Sequence, residues 1–271
     1  MNPIHQPFSW RASGLVLIAW CFLPLSFVIP ELNSNHPPFF NLQGWVASMA
    51  LGFSHSAGKF GLPLVLLVGL VGLVLDIEQP RFTRMKLLLS ALALSLLMIG
   101  TGSYVNEHWT KTQFEIPRPN IGVVLMSQKG EPVVSSAEAF YQSGHKSERS
   151  AVLAKVLEKS TVSDHISAGV KQHWVAETGY SFPSGHSFAA FFCASFLFLL
   201  GFSYARGASR VLLIFILPWA VLVAYSRTVL LVHSPLDICV GGLVGMLWGL
   251  LAVKGALVLW RIFMPRKPNF V

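Results

Sequence analysis

Charged residues are scarce in this sequence. Only 12% of its 271 residues are Asp, Glu, Lys or Arg, whereas 53% are hydrophobic. Soluble domains carry about 25% charged residues, and disordered chains are poor in hydrophobic ones. So few charges cannot cover a water-exposed surface of this size, which excludes a soluble domain, and the hydrophobic content excludes disorder. The composition therefore predicts an integral membrane protein.

Cysteine is rare as well. Cys21, Cys193 and Cys239 lie in or beside apolar stretches, and no C-x-x-C pair occurs. An odd number of cysteines in apolar segments does not indicate a disulfide framework. We expect all three thiols to be packed in the protein core, where free cysteine is common.

Acidic residues are fewer than basic ones, 12 against 20, which gives a formal net charge of +8. In a soluble protein this excess would indicate a nucleic-acid partner. In a membrane protein, basic residues collect in cytoplasmic loops and set the topology. We therefore expect membrane lipids and no nucleic acid as partners, and the sequence does not indicate an oligomeric state.

Apolar stretches that contain few or no charges predict the membrane spans, because a helix needs about 20 apolar residues to cross a bilayer. The six predicted spans are 12–30, 60–77, 87–105, 187–205, 211–226 and 238–260. The first is longer than the apolar region of a signal peptide and has no A-x-A cleavage site. The predicted fold class is therefore all-α, a single membrane domain over residues 1–271 with six transmembrane helices.

The distribution of Lys and Arg predicts the orientation. With both termini in the cytoplasm, the cytoplasmic segments hold nine of these residues, and the two short outer segments hold only Lys59 and Arg227. The long segment 106–183 contributes little to this rule. We predict that both termini are cytoplasmic and that 106–183 is an outer loop.

Two helices are predicted outside the spans. Phe40, Trp45, Met49 and Phe53 recur near helical spacing, which indicates a helix on the outer membrane surface, with an irregular loop as the alternative. Within the outer loop, apolar residues at 152, 153, 156 and 157 follow a helical period, with lysines on the other face. The outer loop is therefore expected to be largely helical.

Polar residues in three segments of the sequence recur at the predicted outer ends of four spans, where ionisable side chains mark functional sites. The pattern is Lys111-x6-Arg118-Pro119, then Pro183-Ser184-Gly185-His186, then Ser226-Arg227-x5-His233-x3-Asp237. It resembles the three signature motifs of the type 2 phosphatidic acid phosphatase superfamily at every fixed position. The stretch from His173 to His186 is similar, more narrowly, to bacterial phosphatidylglycerophosphatases of the B type.

The cations of this pattern suit a phosphate ester. Lys111, Arg118 and Arg227 can neutralise phosphate oxygens, Arg through forked donors and Lys as a point charge. Ser184 and Gly185 stand at a predicted helix start, where unpaired amides and the helix dipole receive an anion. The alternative for the cations alone is a patch that binds lipid headgroups, which does not account for the histidines.

The histidines suit phosphoryl transfer. A neutral His233 can attack phosphorus and carry the phosphoryl group. Ser234-Pro235-Leu236-Asp237 is typical of a helix N-terminus, so Asp237 is expected to cap the helix, to orient the His233 ring, or to do both. We expect His186 to protonate the leaving oxygen and later to activate water. The resemblance implies the same roles.

The resemblance also implies a bacterial inner-membrane lipid phosphatase whose active site faces the periplasm. Its implied substrates are phosphatidylglycerophosphate, undecaprenyl pyrophosphate and phosphatidate. A lipid A phosphatase or a lipid phosphotransferase of the same superfamily is an alternative, and a lipid transporter without catalysis is another. We expect no metal and no cofactor, because a magnesium site requires several carboxylates and the cations supply the positive charge instead.

Overall fold

The computed structural model describes residues 10–28 and 42–264, and every regular element in these ranges is a helix. The first four helices are α1 Trp10–Cys21, α2 Trp45–Ser56, α3 Gly61–Leu75 and α4 Arg81–Val105, with a 3₁₀ turn Leu23–Phe27 after α1. A π-helical turn Asn106–Thr110 leads from α4 into α5 Lys111–Phe114. The outer segment holds α6 Pro119–Met126, α7 Ala137–Gln142, α8 Lys146–Lys159, a 3₁₀ turn Thr161–His165 and α9 Ala168–Ala176. The last three helices are α10 Gly185–Tyr204, α11 Gly207–Val229 and α12 Pro235–Phe263.

Three of the described helical segments are long and apolar enough to cross a membrane, namely 81–114, α10 and α12. A fourth is reached if α2 and α3, which meet at 65°, count as one span. Ala12–Phe27 and Leu213–Val229 are shorter apolar helical segments. The all-α prediction is confirmed for the described residues, whereas the count of six spans remains a prediction.

The helix that contains the third predicted span extends beyond that span. Its α-helical part is Arg81–Val105, and a π-helical turn continues it to Phe114. Hydropathy falls at Asn106, whereas helical backbone hydrogen bonding continues. Lys111 therefore lies in the last part of this continuous helix, and the bounds of the third span remain a prediction.

Glycines on α12 let it pack directly against the backbone of α10. A Cβ added at Gly241, Gly245 or Gly249 would lie 2.4, 2.1 or 2.9 Å from the backbone oxygen of Ser184, Phe188 or Phe192, respectively. These glycines are four residues apart and so share one face of the helix. Small residues of this kind allow two helix backbones to approach closely. The contact brings the first turns of α10 and α12, which carry two of the three motifs, to the same end of the bundle.

The opposite end of the bundle holds the short turns before α4 and α11 together. The Arg206 amide donates to Asp76 Oδ2 at 2.7 Å, and Arg206 Nη1 lies 2.6 Å from Glu78 Oε1. Trp260 Nε1 donates to the carbonyl of Leu87 at 3.2 Å and ties the end of α12 to α4. The basic residues predicted to be cytoplasmic at these turns thus lie at the end away from the motifs.

The outer segment forms a second layer with a hydrophobic core of its own. On α8, Leu153, Val156 and Leu157 are buried, as their periodicity predicted. The same core includes residues 230–232, which join α11 to α12. The outer layer therefore packs on the turn that carries the third motif.

The helix predicted between the first two spans is confirmed as α2, beginning at Trp45. Trp45 and Met49 are exposed, whereas Ser54 is buried on the face toward the bundle. The first residue of the predicted stripe, Phe40, lies outside the described residues. The placement of this helix on the membrane surface remains a prediction.

The prediction for the cysteines is partly wrong. Cys193 and Cys239 are buried, but Cys21 is exposed. All three are free thiols. Cys21 lies on the face of α1 that points away from the bundle. Residues on this face are apolar too, so apolar neighbours in the sequence did not distinguish a core position from one on the perimeter.

Gly245→Ala should destabilise the fold. The new methyl group meets the Phe188 carbonyl, and overpacking of this kind costs about 1–3 kcal/mol. Thermal unfolding of the purified protein in detergent should show a lower midpoint. Gly100→Ala on α4 is the matched control, because nothing lies within 4 Å of its added Cβ. A Gly245→Ala midpoint equal to that of Gly100→Ala would contradict the close helix contact.

Candidate active site

The turn that joins α11 to α12 fixes Arg227 and His233 relative to each other. The helix ends at Val229, and Leu231 adopts left-handed backbone with a φ of 57°. The chain reverses, and the amides of Val232 and His233 donate to the carbonyl of Arg227 at 3.1 and 3.2 Å. The five residues between Arg227 and His233 thus form the turn that ends α11. This turn folds the chain back, so that the His233 amide meets the Arg227 carbonyl.

Groups of the outer layer hold this turn in place. The carbonyls of residues 230, 231 and 232 accept hydrogen bonds, in that order, from Trp174 Nε1 at 2.7 Å, the Asn120 amide at 2.8 Å and Arg118 Nη1 at 3.2 Å. Three consecutive buried carbonyls would otherwise lack partners within the turn, which is costly. The outer segment, which joins the first motif to the second, therefore positions His233.

Ser234 and Asp237 cap the first turn of α12 reciprocally, as the sequence predicted. Ser234 Oγ accepts from the Asp237 amide at 3.3 Å, and Asp237 Oδ2 accepts from the Ser234 amide at 2.7 Å. The same carboxylate oxygen lies 3.5 Å from His233 Nδ1 and accepts a hydrogen bond from the Ser181 hydroxyl. One carboxylate conformation thus caps the helix and faces the Nδ1 side of the ring, so that Nε2 is the nitrogen directed away from Asp237.

Burial favours the neutral form of the His233 ring. It is 2% exposed, and burial lowers the pKa of His233 despite the opposing effect of Asp237. A neutral imidazole keeps a lone pair on one nitrogen, which a nucleophile requires.

The Pro183-Ser184-Gly185-His186 motif begins α10, as predicted. Ser184 is the N-cap residue, its hydroxyl accepting from the Ser187 amide at 3.3 Å, and its own amide donates to the carbonyl of Asp237 at 3.0 Å. His186 is partly exposed, and it lies within electrostatic range of Arg227 and His233. The two histidines are thus brought to one site by two different helices.

Two of the predicted phosphate-binding cations share one acidic partner. Arg118 Nη2 lies 2.9 Å from Glu177 Oε2, and Arg227 Nη2 lies 3.2 Å from Glu177 Oε1. Both guanidinium groups are almost fully buried. Burial opposes ionisation of Glu177, but Arg118 and Arg227 outweigh it and hold the pKa of this carboxyl well below its usual value.

Further contacts orient the two guanidinium groups. Arg118 Nε donates to the carbonyl of Gly179 at 2.8 Å. Arg227 Nη1 donates to the Ser54 hydroxyl and to His173 Nε2, the latter at 3.0 Å. Burial and the charge of Arg227 lower the pKa of His173 to about 3, so its neutral ring accepts this bond. Among the described residues, Arg227 Nε has no hydrogen-bond partner.

Four residues of the site were not assigned a role from the sequence. Glu177 and His173 fell within the narrower resemblance without a role, and neither Ser54 nor Ser181 belonged to any motif. Glu177 offered a signal, because buried arginines require an acid and Glu177 is the last acid before the second motif. Ser54 is more than 170 residues from Arg227 in sequence, and no local pattern links them.

The third predicted cation, Lys111, has a partner of its own. Its Nζ lies 2.7 Å from Glu107 Oε2, one helical turn earlier. The Lys111 side chain is 7% exposed, and that of Glu107 is 44% exposed. The π-helical turn carries Glu107, and such turns often occur at functional sites. The Lys111–Glu107 pair therefore forms one side of the site.

A cleft of about 440 Å³ leads to His186 between α3 and α4. Leu62, Leu66, Leu96 and Ile99 line its apolar wall. Lys59, Glu107 and His186 line its polar end. The cleft thus runs from the apolar faces of these helices to His186, the predicted general acid.

The structure thus brings together all eight predicted site residues at one end of the bundle. Within the described ranges, no group of three or more His, Cys, Asp or Glu side chains is arranged to hold a metal ion. A neutral imidazole beside a carboxylate, a second imidazole and three cations can bind a phosphate ester and transfer its phosphoryl group.

Glu177→Gln should destabilise the protein at neutral pH. It leaves two buried arginines without their counter-charge, a loss of about 3 kcal/mol for a broken buried pair. Because the pKa of Glu177 is lowered in the folded state, its contribution is present above the ordinary Glu pKa of about 4.3 and is lost as the pH falls below it. The difference in thermal midpoint from wild type should therefore be large at pH 7 and narrow toward pH 3.

Glu158→Gln, at an exposed position of α8, is the control for the Glu177 variant. It should match wild type across the pH range. A difference in thermal midpoint between Glu177→Gln and wild type that does not change with pH would argue against the charge pairing described above. Equal midpoints at pH 7 would argue against it as well.

Comparisons with known proteins agree with this geometry. The model of the PAP2 superfamily matches residues 84–261. Phosphatidylglycerophosphatase B of Escherichia coli strain K12 is 29% identical over 166 residues, which cover 61% of this chain and 58% of that protein. Phosphatidylglycerophosphatase B of Haemophilus influenzae is 35% identical over 143 residues, which cover 51% of this chain and 54% of that protein. The chain thus matches somewhat more than half the length of these relatives, and the family model spans every motif of the site, so the chain belongs to the PAP2 superfamily.

Proposed function

We propose that this chain is an integral membrane lipid phosphatase that removes a terminal phosphate from lipids through a phosphohistidine at His233. The observation that carries the proposal is the cleft between α3 and α4, which has an apolar wall and ends at His186. A lipid placed there keeps its tails beside apolar helices while its headgroup reaches the partly exposed His186 and the buried His233. Membership of the superfamily and the names of the similar proteins agree with this class of substrate.

The cations and the start of α10 bind the phosphate. Arg227 Nε has no hydrogen-bond partner among the described residues, and the amides at Gly185 and His186 are at a helix N-terminus, where unpaired donors and the dipole favour an anion. The guanidinium groups are held by Glu177 and are therefore oriented before substrate binds. Oriented donors stabilise the charge of the transition state without a further reorganisation cost.

The transfer has two steps. In the first, His233 Nε2 attacks phosphorus, the bond to the ester oxygen breaks, and protonated His186 gives that oxygen a proton. In the second, neutral His186 takes a proton from water, the oxygen of this water attacks phosphorus, and inorganic phosphate leaves His233. Asp237 faces Nδ1, and it stabilises the positive charge that develops on the ring. The side-chain cations supply the positive charge, so we expect turnover without divalent metal.

Phosphatidylglycerophosphate, phosphatidate and undecaprenyl pyrophosphate are the proposed substrates. Each joins a terminal phosphate to a long apolar group, which matches a site at the end of apolar helices. A water molecule as the acceptor makes the enzyme a phosphatase rather than a phosphotransferase.

We further propose that six helical segments cross the bacterial inner membrane, with both termini in the cytoplasm and the site in the periplasm. The sequence supports this arrangement by its excess of Lys and Arg at the turns before α4 and α11, which lie together at the end opposite the site. The shorter helices α1 and α3 pack beside the longer ones.

Replacing either histidine should abolish turnover. We expect His233→Ala and His186→Ala to reduce phosphate release by at least about 10³-fold, because they remove the nucleophile and the proton donor. The measurement is phosphate release from phosphatidylglycerophosphate, phosphatidate and undecaprenyl pyrophosphate in mixed micelles with excess chelator. Wild type should be active in chelator, and loss of activity that magnesium restores would contradict the metal-free mechanism.

His165→Ala, at an exposed position of the outer layer, should retain wild-type turnover. The covalent step has its own readout. Wild-type protein quenched with labelled substrate should carry an acid-labile phosphoryl group, and His233→Ala should carry none. Full activity of His233→Ala would exclude His233 as the nucleophile.

The proposed topology can be tested with single cysteines in a background where the three native ones are replaced by serine. Lys155→Cys on α8 should react with a membrane-impermeant maleimide in intact spheroplasts. Gln79→Cys, in the turn before α4, should react only after the membrane is permeabilised. The reverse pattern would place the active site in the cytoplasm.

A further inference from the structure

Glu107 is an acidic residue at the polar end of the cleft, and the transfer mechanism above does not use it. It lies in the π-helical turn between α4 and α5, and it lines the same cleft as His186. A carboxylate at this point is unexpected in a site that binds a phosphate, because like charges repel over short distances in a partly buried environment.

Contacts on two sides hold the Glu107 carboxylate in place. Oε2 lies 2.7 Å from Lys111 Nζ, and this lysine is almost fully buried. On the other side, a Cβ added at Gly179 would lie 3.3 Å from Oε1, so the backbone of residue 179 closely approaches the carboxylate. The charge is therefore fixed relative to the phosphate-binding cations.

The charges of the site balance only when Glu107 is counted. The three cations are Lys111, Arg118 and Arg227, and the three carboxylates are Glu107, Glu177 and Asp237. Glu177 and Asp237 contact the arginines and the nucleophile, respectively. Glu107 instead faces the cleft that His186 also lines. In the proposed mechanism His186 protonates the oxygen of the leaving group, so the leaving group must lie in this cleft.

The sign of this charge distinguishes between leaving groups. The Glu107 carboxylate can accept hydrogen bonds. It therefore tolerates a leaving group that carries hydroxyl groups, or no charge, beside the ester oxygen. A leaving group that is itself a phosphate is repelled. Lys59 also lines the cleft, but it is exposed and its ammonium lies 5.6 Å from the Phe60 ring centre. Both side chains are exposed to water, but the buried Lys111 holds the Glu107 carboxylate at a fixed position in the cleft, so Glu107 has the larger effect.

We propose that Glu107 is a specificity-determining residue that favours lipid monophosphates over lipid pyrophosphates. The inference rests on the proposed function, because it assumes hydrolysis at His233. Glu107 acts by repelling the second phosphate of a pyrophosphate from the cleft, and not by a chemical step.

The test uses two substrates that differ only in the second phosphate, dioleoylglycerol phosphate and dioleoylglycerol pyrophosphate, in mixed micelles with the full-length protein. We expect Glu107→Gln to raise the ratio of kcat/KM for the pyrophosphate to that for the monophosphate by about tenfold, as expected for the removal of one nearby charge. The increase should shrink at high salt, because ions screen the interaction. Glu107→Asp should keep a ratio close to that of wild type, since it keeps the charge.

Glu138→Gln, at an exposed position of α7, is the matched control and should leave the ratio unchanged. An unchanged ratio in Glu107→Gln would overturn the inference, and so would an equal loss for both substrates, which a purely structural salt bridge would give. Absence of hydrolysis of both substrates by wild type would instead overturn the proposed function, and the inference with it.

Discussion

The arrangement of the site depends on the pairing of buried positive charges. Arg118 and Arg227 come from parts of the chain more than 100 residues apart, and both would be prohibitively costly to bury alone. Glu177 places one carboxylate oxygen against each of them. This single acid fixes the distance between the two guanidinium groups and ties the outer layer to the end of α11. The two guanidinium groups are thereby held in place while their charge is partly balanced.

Backbone contacts provide the second constraint. The glycines of α12 allow the Ser184 and Phe188 carbonyls to touch its backbone, so the first turns of α10 and α12 are held side by side. The Ser184 amide donates to the carbonyl of Asp237 as a result. The outer layer completes the arrangement, because its donors occupy the three carbonyls of the turn before His233. Helix packing thus sets the distance between the histidines, and the outer layer sets the orientation of one of them.

The places where prediction and structure differ have physical causes. The helix of the third predicted span continues past residue 105 because a helix extends for as long as its backbone hydrogen bonds are made, here through the π-helical turn to Phe114. Cys21 was predicted to be buried and is exposed. In a membrane protein both the core and the lipid-facing perimeter are apolar, so composition does not separate them. The cleft between α3 and α4 had no sequence signal, since its wall consists of ordinary leucines.

The sequence by itself determined the features that depend on neighbouring residues. Ser234, Pro235 and Asp237 specify a capped helix start, Ser184 specifies another, and the apolar period of residues 152–157 specifies α8. It also supports the proposed class of chemistry, since the residue types of the three motifs suit phosphate transfer. Only the tertiary structure decided that Glu177 pairs with Arg118 and Arg227 and that Ser54 contacts Arg227, because these residues reach their partners through helix packing. Such contacts depend on the three-dimensional path of the backbone, which no local spacing encodes.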